Sequence, residues 1–142
     1  FKEASRSIEE FHLGDSVRER HFSNKPILGI CLGLQLLAES SIESPNSLGF
    51  GILKGETRRL AEYSRIGWDT IRFNEENSLS KEHFYFNHSF AVYGVTGNRL
   101  NADSKTSDYR ALIVEDNSIG VQFHPEKSHK FGMELLANFC KI

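Results

Sequence analysis

The sequence predicts an α/β protein: an open mixed sheet with flanking helices and an antiparallel meander. Three observations carry that reading. A short apolar run, Pro26-Ile27-Leu28, passes through Gly29-Ile30-Cys31-Leu32-Gly33 into a helix-like stretch, a strand, a tight turn and a helix in succession. Segments with helical character lie early, whereas short runs of β-branched and aromatic residues crowd the second half. The chain then closes on apolar residues at Phe131, Leu135, Leu136 and Phe139, one face of a helix.

In order, the pattern predicts helices over Lys2–His12 and Ser16–His21, a strand over Ile27–Ile30, and a helix over Leu32–Ser40. Ser44-Pro45-Asn46-Ser47 has turn chemistry. Strands follow near Ile52–Leu60, Trp68–Phe73, His83–Phe86 and Phe90–Val92. Ala111–Val114 and Ser118–Gln122 read as two more, joined at Glu115-Asp116-Asn117, and Lys130–Phe139 as the last helix. There are no internal repeats, and no linker divides the chain, so residues 1–142 read as one domain.

Hydrophobic residues make up 39% and charged residues 25%, ordinary globular usage. A formal net charge of −2 without a basic cluster argues against a nucleic-acid partner. No apolar run is long enough to span a bilayer. The two cysteines, Cys31 and Cys140, make no disulfide framework, which suits the reducing cytoplasm. Cys140, in the last helical segment, is expected to serve packing. The histidines His12, His21, His83 and His129 have neither metal-ligand spacing nor a cysteine pair beside them, so no metal is expected.

Cys31 carries the chemistry. A cysteine between glycines at a strand-to-helix turn has the layout of a nucleophile elbow, which pushes its side chain out of the sheet. Gly29 and Gly33, lacking Cβ atoms, would let backbone and substrate come close. A helix starting just after Cys31 aims free N–H groups and a positive dipole end at the sulfur, which favours the thiolate. The base lies far downstream, in Phe123-His124-Pro125-Glu126-Lys127-Ser128. On an extended segment, His124 and Glu126 would project to the same side. A carboxylate beside an imidazole fixes its tautomer and stabilises the imidazolium, so the imidazole can shuttle a thiol's proton. Alone, a cysteine after an apolar strand is more often a small buried hydrophobe, and a His-x-Glu more often plain surface. Together they define nucleophile, acid/base and orienting group.

Both motifs resemble the class I (triad) glutamine amidotransferases, whose catalytic residues would fall on Cys31, His124 and Glu126. The family's flavodoxin-like fold agrees with the sheet predicted above. Ser47-Leu48-Gly49-Phe50-Gly51-Ile52-Leu53-Lys54-Gly55, Gly67-Trp68-Asp69, Tyr85-Phe86-Asn87-His88-Ser89-Phe90 and the Lys127-Ser128 ending extend the likeness. This series looks like the glutaminase subunit of imidazole glycerol phosphate synthase, the HisH type. The resemblance implies that Leu32 donates a backbone N–H to the oxyanion and that Gln35 binds glutamine. It also implies that Glu43 reads the substrate's α-amino group and that His88-Ser89 holds its α-carboxylate. Gln35 alone would be surface on a helix, as would Glu43, and His88 a strand-end surface residue. Trp68, Tyr85 and Lys127 match the face toward a (β/α)8-barrel cyclase, the HisF-type partner of a heterodimer; core packing is the rival reading for Trp68 and Tyr85. No cofactor is implied.

The chain departs from the family at Ser64-Arg65, where Pro-His is usual, at Asp69 for Asn, and at Asn87 for an aliphatic residue. A HisH-like paralogue serving surface-sugar synthesis would be a natural owner of such changes. A thiol hydrolase or peptidase of related fold is a further reading, against which Gln35, Glu43 and Phe-His-Pro-Glu argue. A non-catalytic docking subunit is another. In the family, two strands and a Pro-Gly-Val-Gly loop come before the equivalent of Phe1, and that loop donates the second oxyanion N–H. The resemblance therefore implies a chain truncated at its N-terminus, short of a βαβ-sized piece on the order of 30 residues. Losing one oxyanion donor costs about 10²–10³ in rate. Residues 1–142 alone are thus expected to hydrolyse glutamine weakly or not at all, and adding a family-type N-terminal segment should raise the rate. No gain in glutamate release would refute this.

Overall fold

A computed structural model of the chain describes residues 1–45, 48–61, 64–73, 81–94, 100–104 and 108–142. Two helices, α1 (Lys2–Glu10) and α2 (Leu13–Phe22), lead into β1 (Ile27–Ile30) and α3 (Leu32–Leu37). Five strands follow: β2 (Ala38–Ser41), β3 (Leu53–Arg59), β4 (Arg65–Phe73), β5 (His83–His88) and β6 (Phe90–Tyr93). Then come β7 (Leu100–Ser104), β8 (Arg110–Glu115), β9 (Ser118–Val121), a 3-10 turn at Pro125–Lys127, and α4 (His129–Phe139).

Six strands form one sheet in the order β1-β9-β8-β7-β4-β5, and three form a second, β2-β3-β6. Only β1–β9 and β2–β3 are parallel, and every other described pair is antiparallel. This is the expected open mixed sheet with its meander. The β8–β9 hairpin turns where predicted, with Asp116 at φ 48° and Glu115 paired to Ser118.

Several expectations fail, for physical reasons. The helix expected to reach Ser40 ends at Leu37, and Ala38–Ser41 is strand β2. The cause is long-range: Phe50 N–H donates to the Leu36 carbonyl (2.7 Å), Ile52 to Leu37 (3.0 Å) and Gly51 to Ala38 (3.2 Å). Those acceptors are thereby drawn toward another segment, and Ala38 turns extended at ψ 170°. Strand β7 was not anticipated, because Leu-Asn-Ala-Asp-Ser has no β-branched or aromatic residue; it exists because β4 and β8 flank it. Strand β4 also begins at Arg65, three residues before its predicted start, and pairs those residues with Phe86–His88 of β5. The predicted loop at Ser44–Ser47 lies partly outside the described residues; Ser44 and Pro45 are in a turn.

The core has two parts. One gathers Ile71, Phe73, Phe84, Phe86, Tyr109, Leu112, Val121 and Phe123, and α4 packs Phe131 and Leu135 against it. The other, Leu34, Leu37, Ala38, Leu53, Val92 and Ile113, fixes α3 between the sheets. Cys140, expected to pack, instead ends α4 exposed to solvent. Phe123 is fully buried, its ring 4.3 Å from Phe84 and 5.9 Å from Phe86. Phe123→Ala is expected to lose about 3–5 kcal/mol of stability, read from urea unfolding; a loss within about 1 kcal/mol of zero would contradict the packing described.

Candidate active site

Cys31 sits between the end of β1 and the start of α3 at φ 50°, ψ −104°. For a residue with a Cβ, that conformation costs on the order of 1–3 kcal/mol. Hydrogen bonds hold it in place: Cys31 N–H donates to the Val121 carbonyl at 2.7 Å, and the Cys31 carbonyl accepts from Gln35 N–H at 3.2 Å. Gly29 is needed for this turn, since a Cβ there would stand 2.8 Å from both the Gly33 backbone and a Leu37 methyl. Gly33 is different. A Cβ on it would meet nothing within 4 Å, so its side lies open, as the elbow reading expects of the substrate side but for no reason of helix packing.

Because β1 and β9 are parallel and in register from Ile27↔Ser118 to Ile30↔Val121, their carboxyl ends lie side by side. Cys31 leaves one and Gln122-Phe123-His124 leaves the other. His124 Nδ1 meets Glu126 Oε1 at 2.7 Å. The segment is not extended, as the sequence reading had it. Pro125 begins a 3-10 turn, closed by Lys127 N–H to the His124 carbonyl (3.0 Å), and the turn brings the two side chains together. Ser128, fully buried, ties this turn down: its hydroxyl donates to the His124 carbonyl (2.6 Å) and accepts from Tyr85 N–H (3.0 Å). His124 N–H donates in turn to the Tyr85 carbonyl at 2.8 Å. The sequence showed Ser128 only as part of a motif, and nothing local marked it as the anchor of the histidine.

Burial pushes the Cys31 thiol up from its ordinary value. The Leu32 N–H and the Gln122 amide pull the other way, Glu126 adds to the rise, and Lys127 opposes it. Desolvation therefore outweighs the helix-end donors that were expected to favour the thiolate. At neutral pH the sulfur is thus held as a thiol. Its S–H faces the Asn87 backbone carbonyl at 3.9 Å.

The other predicted residues fall into three groups. Gln35 is almost wholly buried, and its amide nitrogen donates to the Phe90 carbonyl (2.7 Å) and to Gln122 Oε1 (3.3 Å), so both N–H groups are engaged inside the protein. Gln122, which the sequence reading passed over, is fully buried and donates to the Cys31 sulfur at 3.5 Å. His88 is not strand-end surface: it is buried, edge-on to Tyr109 with centroids 5.0 Å apart, and its Nδ1 donates to the Phe90 carbonyl at 2.9 Å. Burial lowers its pKa to about 4, with Arg65 and His124 nearby adding to the fall. Ser89 follows it at the bend into β6, its carbonyl accepting from Leu60 N–H at 2.9 Å. Glu43 is exposed in the turn after β2.

Trp68, Tyr85 and Lys127 do come together. Trp68, 42% exposed, sits edge-on to Tyr85 at 5.7 Å, and Lys127 Nζ stands 5.7 Å from the Tyr85 ring. His129 stacks on Trp68 at 4.5 Å and 9°. Core packing therefore does not describe Trp68, and Tyr85 is half-buried. Two departures from the family pattern, Arg65 and Asp69, meet as an ion pair along β4. Among the described residues, no group of three His, Cys, Asp or Glu side chains is placed to hold a metal, and no helix is long and apolar enough to cross a membrane.

The family model for glutamine amidotransferase class-I matches residues 9–142. The chain belongs to that family, an enzyme class of glutamine amidotransferases, and its curated relatives make it HisH-like. It is 38% identical to imidazole glycerol phosphate synthase subunit HisH of Oceanobacillus iheyensis, covering 98% of this chain and 74% of that protein. It is also 38% identical to the HisH subunit of Aquifex aeolicus, covering 98% and 72%. The chain thus spans about three quarters of the length of these relatives. Among solved structures, a glutamine amidotransferase superposes with a TM-score of 0.73 at 18% identity, over 97% of this chain and 73% of the other. PurLQS from Thermotoga maritima gives 0.71 at 16% identity, over 91% and 67%. At those identities the structural likeness speaks for the fold alone.

His88 supplies a prediction. Its folded pKa of about 4 lies below the ordinary 6.5, so the unfolded chain binds more protons between those values. Its contribution is present above pH 6.5 and is lost as pH falls toward 4, a few kcal/mol at most. Urea-unfolding free energies should therefore fall over this window, and His88→Gln should flatten that part of the profile. An unchanged slope in the variant would exclude the assignment.

Proposed function

We propose that the chain is the glutaminase subunit of an imidazole glycerol phosphate synthase, hydrolysing glutamine through Cys31, His124 and Glu126. One observation carries this most: the 2.7 Å His124–Glu126 pair stands past the end of β9, beside the strand whose end bears Cys31. With Nδ1 held by Glu126, the other ring nitrogen of His124 is left to exchange the proton. It takes the thiol proton as glutamine binds, offsetting the burial that keeps the sulfur protonated. The sulfur attacks the side-chain amide carbon, and the developing oxyanion forms against the Leu32 N–H. His124 returns the proton to the departing ammonia, leaving a γ-glutamyl thioester. It then activates a water that releases glutamate and restores the thiol.

The same reading assigns substrate contacts. Gln35, with its N–H groups engaged, would act through its carbonyl oxygen. Glu43 pairs with the substrate's ammonium, and the His88-Ser89 bend supplies backbone and hydroxyl to the α-carboxylate. Ammonia passes to a (β/α)8-barrel cyclase seated on the face of Trp68, Tyr85 and Lys127, forming imidazole glycerol phosphate and an aminoimidazole carboxamide ribotide in the cytoplasm. Two HisH relatives at 38% identity support the choice of pathway. In a synthase assembled from a full-length version of the chain, Cys31→Ala is expected to abolish glutamine-dependent turnover while ammonia-dependent turnover persists. Glutamine hydrolysis surviving in Cys31→Ala would end the assignment.

A further inference from the structure

Beneath the nucleophile lies a line of polar groups that the triad does not use. The Phe90 carbonyl accepts from Gln35 Nε2 at 2.7 Å, Gln122 Oε1 accepts from the same nitrogen at 3.3 Å, and Gln122 Nε2 donates to Cys31 Sγ at 3.5 Å. A side-chain amide can face either way, but here the direction is forced. A backbone carbonyl is only an acceptor, so the Gln35 atom facing it must be nitrogen. The Gln122 atom facing that nitrogen must then be oxygen, and what remains to face the sulfur is an N–H. Reversing either amide would set nitrogen against nitrogen or oxygen against oxygen in a buried space. Both side chains are buried, Gln122 completely and Gln35 to 5% exposure, so water does not relieve such a mismatch.

We propose that Gln122 is a direct donor to the nucleophile, its N–H aimed at the Cys31 sulfur by Gln35 and the Phe90 carbonyl, and that it stabilises the thiolate once the proton has left. An oriented N–H compensates for part of the desolvation of a charged sulfur and limits the rotamers open to it. The role builds on the glutaminase reading, but its test does not depend on glutamine.

The experiment follows alkylation of Cys31 by iodoacetamide against pH, in the full chain carrying Cys140→Ser so that the exposed second thiol is silent. Gln122→Met keeps the length and removes the donor. Its Cys31 pKa is expected to rise by about one unit, so that alkylation at a fixed pH below the pKa slows about tenfold. Glu126 and Lys127, the charged groups acting on the sulfur, are unchanged in the variant. A folded Gln122→Met protein with the parent's pKa overturns the proposal. Should that variant fail to fold, Gln35→Met leaves Gln122 present but frees its amide to turn; a rise in the same direction supports the proposal, and an unchanged pKa overturns it. The expected shift, together with no glutamine-dependent turnover by a synthase assembled from a full-length version of the chain with Gln35 and Gln122 intact, would count against the glutaminase reading alone.

Discussion

The parallel pairing of β1 with β9 sets the rest of the site. Four residues on each strand run in register, and the last hydrogen bond of that ladder is made by Cys31 itself, its N–H to the Val121 carbonyl. Parallel strands end on the same side, so whatever follows Ile30 and Val121 emerges together. Here one strand delivers a cysteine in a strained turn and the other, three residues on, a histidine. The ladder also repays part of the strain at φ 50°, because the amide that the turn reorients is bonded rather than left bare.

Burial and activation oppose each other at this point. The sulfur lies deep enough that desolvation raises its pKa, and the protein answers with donors rather than with a nearby cation: the Leu32 N–H and the Gln122 amide lead, and Lys127 contributes least. A thiol that stays protonated until a base acts on it is protected from indiscriminate reaction. The histidine is treated differently. Ser128 and Tyr85 fix its backbone from below, and the 3-10 turn sets Glu126 against its ring. Gly132 makes room for this arrangement, since a Cβ there would lie 2.0 Å from the Pro125 carbonyl oxygen. Helix α4 thereby closes directly on the turn that carries His124 and Glu126.

Two of the departures from the family pattern are physically linked. Arg65 and Asp69 form one ion pair on β4, and Arg65 lies opposite His88 across the β4–β5 ladder. Trp68 lies between them in sequence and points to the exposed aromatic face shared with Tyr85 and His129. The charges therefore sit beneath that face and within reach of His88, whose depressed pKa Arg65 helps to set.

What the sequence determined by itself is local. The elbow around Cys31 was legible because a glycine-framed turn between an apolar run and a helix is written in consecutive residues. The pairing of His124 with Glu126 was legible from their spacing, although a 3-10 turn and not the extended segment expected brings them together. The alternation of the later strands and the apolar face of the last helix likewise gave the mixed sheet. Only the tertiary structure decided the rest, and the reason is sequence distance. Helix α3 stops at Leu37 because residues 50–52 capture its carbonyls, which no helix propensity in that stretch could foretell. Gln35 bonds a carbonyl 55 residues away and Gln122 a sulfur 91 residues away. Ser128 reaches back 43 residues to Tyr85. Gln122 reads in sequence as an ordinary polar residue, Gln35 as helix surface unless the family resemblance is brought to it, and Ser128 only as a motif's last letter. Burial beside partners from distant strands, with no water to compete, is what gives each of them a direction and hence a role.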